Sequence, residues 1–394
     1  MSSSLRIGVS LYTGVRRGVM VRAILSHPMT VPATPAGLDE FTPAWLNDAL
    51  EDSGILGGAR IAEARAELVA VDRGIGGTVA RIRLGYEGAA AGAPASIIAK
   101  LPSAIELTRG GGRFLRLPER EVRFYRALAD RVPTRTPACY YAAIDDEGDA
   151  FVLLIEDLGA LPSGDDVQGA TREQAERVID AIATQHAAWW RSPGLGALDW
   201  MPAIDEHARM WQRMFATAWR EHRDDLGDLV PPDLAPLGEA MTRHLGTAVT
   251  RLGELPRTLL HGDLRLDNLF FPDDPPGGVV AVDWSNASRG PGPYDVAYFM
   301  CVAFDPAGRR EHEQALLRRY VDALAAAGVE GVTFEECFDT YRLSFCEPFT
   351  RMFFLLMRGH ADKGTDRPST VLSRFVRNAG QAAVDLGALR LIGD

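Results

Sequence analysis

The fold of this chain is decided by the run His-Gly-Asp-Leu-Arg-Leu-Asp-Asn at residues 261–268 and by Asp283, which follows the run by fifteen positions. Asp263 and Asn268 lie five positions apart within the run, and Asp283 ends a short apolar segment. The turn formers at 272–278 predict a hairpin that returns the chain to the run. We therefore expect three oxygen-bearing side chains to lie close together in the folded protein.

Such a set of side chains has the composition that phosphoryl transfer requires. The reaction needs a group that accepts the proton of the substrate hydroxyl and oxygen ligands for magnesium. Asp263 and Asn268 have the spacing of a kinase catalytic loop, and Asp283 stands where a second magnesium carboxylate follows a hairpin. A single Asp or Asn near a turn is more often a cap or turn residue, so the prediction depends on the combination.

Two charged residues upstream extend this pattern. Lys100 ends the run Ile-Ile-Ala-Lys on the third predicted strand, the position of the lysine that contacts the α- and β-phosphates in kinases. A strand-end lysine that reaches solvent is the alternative. Glu121, in a helical segment that opens at Pro118, resembles the helix glutamate that pairs with this lysine in kinases. Glu119 is a possible substitute, but it lies in the first turn, where acids serve the helix dipole, so Glu121 is favoured.

A glycine-bearing segment, with Gly74, Gly76 and Gly77, separates the first two predicted strands. Kinases place their nucleotide-covering loop there, and glycines let backbone amides approach phosphate oxygens. A plain hairpin turn fits these residues equally well. A dinucleotide-binding motif is excluded, because its third glycine would fall at Val79 and a strand, not a helix, follows.

Together these motifs resemble those of the aminoglycoside phosphotransferase and choline-kinase-like superfamily, including the bacterial relatives of ecdysteroid kinases. The resemblance covers residues 39–394. It implies a bilobal kinase-like fold that binds ATP and Mg²⁺ between the lobes. Asp263 would be the catalytic base, and Asn268 and Asp283 would be the magnesium ligands.

The resemblance also implies roles for residues outside these three positions. His261 would brace the catalytic loop, and Asp295 matches a family aspartate that fixes this loop by hydrogen bonding. Glu156 and Leu158 belong to a segment that resembles the interlobe hinge, whose backbone pairs with adenine. His186 lies in a segment that resembles a family helix motif, although a satisfied core histidine is the simpler interpretation.

Hydrophobic periodicity predicts the α+β class, with a five-stranded antiparallel sheet and one helix followed by a mainly helical lobe. The predicted strands are 68–71, 79–84, 96–99, 138–144 and 151–155. The predicted helices of the second lobe lie near 171–190, 202–224, 233–252, 309–327 and 334–358.

Chain length favours two lobes, because 394 residues exceed what one hydrophobic core usually serves. We expect a nucleotide-binding N-lobe at 39–157 and a C-lobe at 158–394 that carries the catalytic loop, magnesium ligands and acceptor site. Residues 1–38 are basic and are expected to be a disordered extension. Alternatively, the start is misassigned, and the protein begins at Met20 or Met29. Their arginines interrupt any apolar signal-peptide segment.

Composition limits the partners. The net charge of −11 opposes binding to nucleic acid. The four cysteines are scattered, which indicates neither a zinc site nor a disulfide framework and favours a reducing cytoplasm. No apolar run has the length of a membrane span. The expected partner is a small-molecule acceptor, and the sequence indicates no oligomeric state.

Three other functions have to be weighed against this interpretation. An iron(II) and 2-oxoglutarate oxygenase would use His261, Asp263 and His312, but it needs a jelly roll, and His312 lies in a helical pattern. A protein kinase is disfavoured because Gly262 replaces the usual arginine and Trp284 follows Asp283. A catalytically inactive, kinase-like binding protein remains an open alternative, because function does not follow from fold alone.

Overall fold

The computed structural model describes residues 33–70, 77–88, 90–224, 231–273, 278–360 and 366–392, and two hydrophobic cores organise this part of the chain. The smaller core lies in the N-terminal part, and the larger one fills the helical C-terminal part. Of the predicted N-terminal extension, residues 1–32 lie outside the described residues. Ala33 is held in place because the indole of Trp45 donates to its carbonyl at 2.8 Å.

Five strands form the predicted antiparallel sheet, in the order β1-β2-β3-β5-β4. Two short strand pairs lie elsewhere, β6 with β9 and the predicted hairpin of β7 with β8. The strands are β1 Arg60–Ala70, β2 Thr78–Glu87, β3 Ser96–Leu101, β4 Cys139–Ile144, β5 Phe151–Glu156, β6 Thr258–Leu260, β7 Leu269–Phe270, β8 Val280–Ala281 and β9 Ser288–Gly290.

Side-chain alternation in β3 determines where Lys100 points. Successive residues of a strand face opposite sides of the sheet. Ile97 and Ala99 therefore belong to the smaller core under the first helix, whereas Lys100 lies on the other face. On the neighbouring strand, Leu153 and Ile155 of that other face pack into the larger core. A cation on β3 is thus directed toward the C-terminal part of the chain.

Twelve α-helices complete the described residues, and none of them is long and apolar enough to cross a lipid bilayer. They are α1 Pro43–Leu50, α2 Glu106–Phe114, α3 Leu117–Ala127, α4 Arg172–Trp189, α5 Pro193–Gly196, α6 Ala208–His222, α7 Ala235–Glu254, α8 Pro293–Ala303, α9 Pro306–Ala326, α10 Phe334–Ser344, α11 Cys346–His360 and α12 Asp366–Asp385.

Several predicted boundaries are wrong, each for a physical reason. The first strand begins at Arg60 rather than residue 68, because it is the sheet edge, where charged residues such as Glu63 and Glu67 replace an apolar pattern. Two helices, not one, lie between β3 and β4, since the three glycines of α2 hid its helical pattern. The helix predicted at 334–358 is divided, because Pro348 lacks the N–H that a continuous helix needs.

Three helices of the C-terminal part were not predicted at all: the four-residue α5, α8 and α12. Every residue of α8 is buried, so its sequence has no polar face and no helical period to detect. In α12 the buried residues Phe375, Val376 and Ala379 do recur at helical spacing. That signal was present in the sequence and was missed.

The packing of α6 against α7 depends on a glycine and can be tested. An ideal Cβ on Gly238 of α7 would lie 2.1 Å from the ring of Trp219 in α6. We expect Gly238→Ala to lower the free energy of unfolding by about 1–3 kcal/mol, measured by urea denaturation, because overpacking displaces a buried ring. Gly110→Ala in α2 is the matched control, since open space surrounds that Cβ and alanine favours helix. Equal effects of the two substitutions would contradict this packing.

Candidate active site

Lys100 lies between two carboxylates that come from distant parts of the chain. Its Nζ is 2.6 Å from Oε1 of Glu121 in α3 and 3.4 Å from Oδ1 of Asp283, which follows β8. Lys100 is only 7 % exposed and Glu121 only 3 %. The structure therefore brings three of the predicted site residues together and rules out a solvent-directed lysine.

Two effects act against each other on the carboxyl groups of this cluster: burial raises their pKa values, and the ammonium of Lys100 lowers them. Burial raises the pKa of Glu121 to about 7, with Lys100 acting against the rise. For Asp283 burial also favours the neutral form, but Lys100 and the hydroxyl of Ser285 outweigh it and lower the pKa to about 2. Ser285 Oγ donates to Asp283 Oδ1 at 2.7 Å. Asp283 is therefore the more acidic of the two carboxylates.

A stack of aromatic rings positions Asp283 against the rest of the site. Trp284 stacks on Phe124 of α3 with ring centroids 4.1 Å apart and planes 7° from parallel, and both rings are fully buried. The ring of His261 packs against Trp284 at 4.6 Å. Asp283 itself has φ +62°, a strained conformation for a non-glycine residue that its surroundings must impose. The stack fixes Trp284, which directly follows Asp283 in the chain.

Asp263 lies on the loop between β6 and β7, and its carboxylate accepts two hydrogen bonds and lies near one guanidinium group. Asn268 Nδ2 donates to Asp263 Oδ2 at 3.1 Å and to its backbone carbonyl at 3.0 Å. Arg265 Nε is 3.5 Å from Oδ2. On the other side, the hydroxyl of Tyr298 in α8 donates to Oδ1. Tyr298 was not predicted as a site residue.

His261 and Asp295 hold the backbone of this loop. The Asp295 carboxylate accepts the backbone N–H of His261 at 2.7 Å and that of Gly262 at 3.0 Å. Nε2 of His261 donates to the Val282 carbonyl at 3.0 Å, and its Nδ1 accepts the backbone N–H of Asp263 at 3.3 Å. These partners place the ring hydrogen on Nε2 and tie the loop to the hairpin strand before Asp283.

Gly262 is required by backbone geometry. It has φ +76°, and an ideal Cβ there would lie 2.2 Å from the carbonyl oxygen of Asn286. The arginine that protein kinases place at this position would therefore not fit the present loop. The loss of the arginine and the close approach to the segment after Asp283 are one structural feature.

His186 is a buried core histidine that also contacts the site. Its Nε2 lies 3.3 Å from Asp295 Oδ2, and its Nδ1 lies 2.8 Å from the Tyr320 hydroxyl. An ideal Cβ on Gly292 would lie 2.0 Å from that hydroxyl. A glycine in α8's entry turn therefore leaves room for Tyr320 of α9 to contact His186, which in turn reaches Asp295.

A second carboxylate, Asp166, also holds the loop, and sequence reasoning did not predict it. Asp166 accepts the guanidinium of Arg265 at 2.8 Å and the backbone N–H of Asp267 at 3.1 Å. Burial raises the pKa of Asp166, and Arg265 opposes that rise. The run Asp-Asp at 165–166 resembles an ordinary polar turn, so nothing local in the sequence distinguishes Asp166.

Only part of the predicted nucleotide loop lies in the described residues. Gly74 and Gly76 lie outside them. Gly77 has φ +90°, and an ideal Cβ there would lie 2.3 Å from the Leu101 carbonyl oxygen. Glycine is therefore needed at 77 so that the start of β2 can approach the end of β3, next to Lys100.

The predicted hinge is held by side chains while its backbone joins β5 to the C-terminal part. Glu156 binds Arg135 at 2.9 Å and the backbone N–H of Ala138 at 3.2 Å, so its carboxylate is engaged. Leu158 is buried, and its carbonyl accepts the N–H of Leu161. Between them, Asp157 binds Arg81 of β2 through both carboxylate oxygens.

The polar atoms near Asp263 suit a magnesium ion. The side chain of Asn268 makes its hydrogen bonds through Nδ2, and that of Asp283 makes its contacts through Oδ1. Asn268 Oδ1 and Asp283 Oδ2 are therefore left to bind an ion. The N–H of Val282, the residue before Asp283, donates to the backbone carbonyl of Asn268 at 3.0 Å, which places Asn268 next to the segment that carries Asp283. Magnesium usually takes one or two protein carboxylates and completes its shell with phosphates and water.

An all-protein metal site is not formed by the described residues, where no three His, Cys, Asp or Glu side chains could hold an ion. This counts against the oxygenase alternative, which needs His261, Asp263 and His312 to converge. The ring of His312 instead packs against Phe304, 5.0 Å away.

Comparison with known proteins gives one sequence match and many structural ones. The model of the phosphotransferase enzyme family matches residues 107–332, more than half of the chain. No protein of curated function matches the sequence.

Three solved structures share the fold at low identity. A putative aminoglycoside phosphotransferase from Ralstonia eutropha JMP134 has 15% identity to this chain and a TM-score of 0.52, and the match covers 88% of this chain and 97% of the other. The complex of APH(2")-IIIa with GDP and kanamycin has 13% identity and a TM-score of 0.53, and the match covers 84% of this chain and 95% of the other. Choline kinase from Cryptosporidium parvum Iowa II has 10% identity and a TM-score of 0.51, and the match covers 83% of this chain and 91% of the other. These likenesses confirm the predicted kinase-like fold.

The buried charge cluster makes a prediction about stability. Lys100→Met leaves Glu121 and Asp283 without their cation, so we expect a loss of about 3–5 kcal/mol in the free energy of unfolding. Adding Glu121→Gln should recover part of it. The loss should shrink as pH falls from alkaline values toward about 7, because Lys100 lowers the pKa of Glu121, so the folded variant takes up the Glu121 proton at a higher pH than the folded wild type does.

Urea denaturation at several pH values measures these effects. Arg83→Met is the matched control, since the Arg83–Glu67 pair is exposed and should contribute about 0–1 kcal/mol. A Lys100→Met loss as small as that of the control would contradict the buried cluster.

Proposed function

The chain belongs to the phosphotransferase enzyme family, and we propose that it transfers the γ-phosphoryl group of ATP to a hydroxyl group of a small molecule. The observation that carries this proposal is the joint placement of Lys100, Glu121 and Asp283 beside the loop of Asp263. A phosphate-binding cation, an ionised metal ligand and a base are the parts that phosphoryl transfer uses.

The proposed roles follow from the contacts of each residue. Lys100 would bind the α- and β-phosphates while Glu121 holds its ammonium in place. Asn268 and Asp283 would hold Mg²⁺, which when bound neutralises phosphate charge and orients the γ-phosphoryl group. His261 and Asp295 keep the loop rigid.

Asp263 acts as the base. It takes the proton of the acceptor hydroxyl while the acceptor oxygen forms a bond to the γ-phosphorus. The bond from that phosphorus to the bridging oxygen breaks, and its electron pair leaves with ADP. The aspartate later returns the proton to solvent.

A small-molecule acceptor is supported by the loop and by the relatives. Gly262 stands where protein kinases carry arginine, and its geometry excludes a side chain. The structural relatives include a kanamycin complex and a choline kinase. Contacts to the acceptor are expected from the segments near 200–225 and 335–368. The residues of these segments do not indicate which acceptor binds.

The nucleotide base would pair with the hinge backbone at Glu156 and Leu158. The Leu158 carbonyl accepts a hydrogen bond from the N–H of Leu161, whereas no described residue accepts a hydrogen bond from the N–H of Leu158. That N–H is therefore a donor for the purine ring. A relative was crystallised with GDP, so GTP has to be tested beside ATP.

The main alternative is a kinase-like protein that binds nucleotide without turnover. We expect Asp263→Asn to lower nucleotide turnover by about 10²–10⁴-fold while nucleotide affinity changes little, because the loss is that of a general base. Nucleotide consumption, with ATP or GTP, is measured across aminoglycosides, choline analogues, nucleosides and hydroxylated lipids. Asp322→Asn, an exposed residue of α9, is the matched control.

Asp283→Asn should act differently from Asp263→Asn. It removes the charge that pairs with Lys100 and binds the metal, so the magnesium dependence of nucleotide affinity should weaken, as measured by calorimetric titration with and without Mg²⁺. Turnover that is equal in wild type and in both variants would contradict catalysis at this site. Affinity without any turnover in wild type would favour the binding-protein alternative.

A further inference from the structure

One face of α8 presents two side chains to the catalytic loop. Asp295 and Tyr298 are three positions apart and therefore neighbours on the helix surface. Asp295 accepts the backbone N–H groups of His261 and Gly262, and Tyr298 donates to Oδ1 of Asp263. The first residue holds the loop backbone, and the second reaches the carboxylate of the proposed base.

The two oxygens of the Asp263 carboxylate have different partners. Oδ1 accepts from Tyr298, whereas Oδ2 accepts from Asn268 and lies near Arg265. Rotation about Cβ–Cγ is intrinsically soft in aspartate, so its orientation depends on such bonds. Donors from two different elements hold this carboxylate, and rotating it would break at least one bond.

Tyr298 is itself firmly placed. The guanidinium of Arg351 lies 4.7 Å from its ring centroid, and the ring of Phe375 meets it edge-on at 4.9 Å. Burial raises the pKa of Tyr298 well above its usual range; Arg351 opposes the rise and Asp263 adds to it. Burial therefore favours the neutral phenol, which can donate a hydrogen bond.

Arg351 links the same residue to the loop backbone. Its Nη2 donates to the Gly262 carbonyl at 3.0 Å and to the Tyr294 hydroxyl at 2.9 Å. Tyr294 in turn donates to Glu347 at 2.6 Å. The phenol of Tyr298 is thus packed under a cation that is anchored on both α11 and the catalytic loop.

We propose that Tyr298 is a positioning residue for phosphoryl transfer, which orients the Asp263 carboxylate so that one oxygen faces the acceptor hydroxyl. This inference rests on the proposed role of Asp263. Without the phenol, Arg265 is a donor already within 3.5 Å of the carboxylate. Asp263 would turn toward this guanidinium into a closer, two-bond contact, because arginine binds carboxylates best in that way.

Tyr298→Phe removes only the hydroxyl and is the test variant. Tyr341→Phe is the matched control, because Tyr341 in α10 is equally buried and its hydroxyl lies 3.2 Å from Glu313, in a separate part of the C-terminal core. Crystal structures of both variants report the orientation of Asp263. Kinetics with the acceptor found in the screen, or with water if only hydrolysis occurs, report turnover, and titration reports ATP affinity.

In Tyr298→Phe we expect the Asp263 carboxylate to turn toward Arg265 and kcat to fall by about 10- to 100-fold, the loss typical of a misplaced catalytic group. ATP affinity and the melting temperature should match those of Tyr341→Phe. An unmoved carboxylate, or turnover equal to that of the control, would overturn the proposal. A turned carboxylate together with a wild type that lacks turnover would support the orienting contact and overturn only the proposed function.

Discussion

A single buried ammonium group, that of Lys100, joins three separate parts of the chain. It extends from the central strand β3 to Glu121 on α3 and to Asp283 after the β7–β8 hairpin. Burying three charges is costly unless each is paired, so the elements that carry them cannot separate without a large penalty. Arg120, next to Glu121, also donates to the carbonyls of Leu115 and Ala287, which adds a second link between α3 and the segment after Asp283.

The loop of Asp263 is held by a different kind of contact, since its irregular backbone has no regular partners of its own. Asp295 from α8 satisfies two of its N–H groups, Asp166 satisfies another, and the ring of His261 joins it to the hairpin. Asp295, Asp166 and His261 are buried, where unpaired polar groups are expensive. The loop geometry, including the left-handed Gly262, is therefore imposed by its surroundings.

Sequence reasoning predicted the five-stranded antiparallel sheet, the hairpin, and the cluster formed by Lys100, Glu121 and Asp283, because alternation and motif spacing are local signals. It missed α8, whose uniformly apolar sequence has no period, although Asp295 within it was expected. Tyr298 and Asp166 were missed because their roles arise from contacts across the fold. A tyrosine in a buried helix has no sequence feature that indicates the carboxylate it binds.

We propose that the ammonium of Lys100 and the oxygens of Asn268 and Asp283 form one phosphate- and metal-binding centre. A crystal structure with Mg²⁺ and a non-hydrolysable ATP analogue would test this arrangement. We expect Lys100 Nζ within hydrogen-bonding distance of the α- or β-phosphate, and Asn268 Oδ1 and Asp283 Oδ2 bound to the ion. A nucleotide bound elsewhere, with Lys100 still enclosed by its two carboxylates, would contradict it.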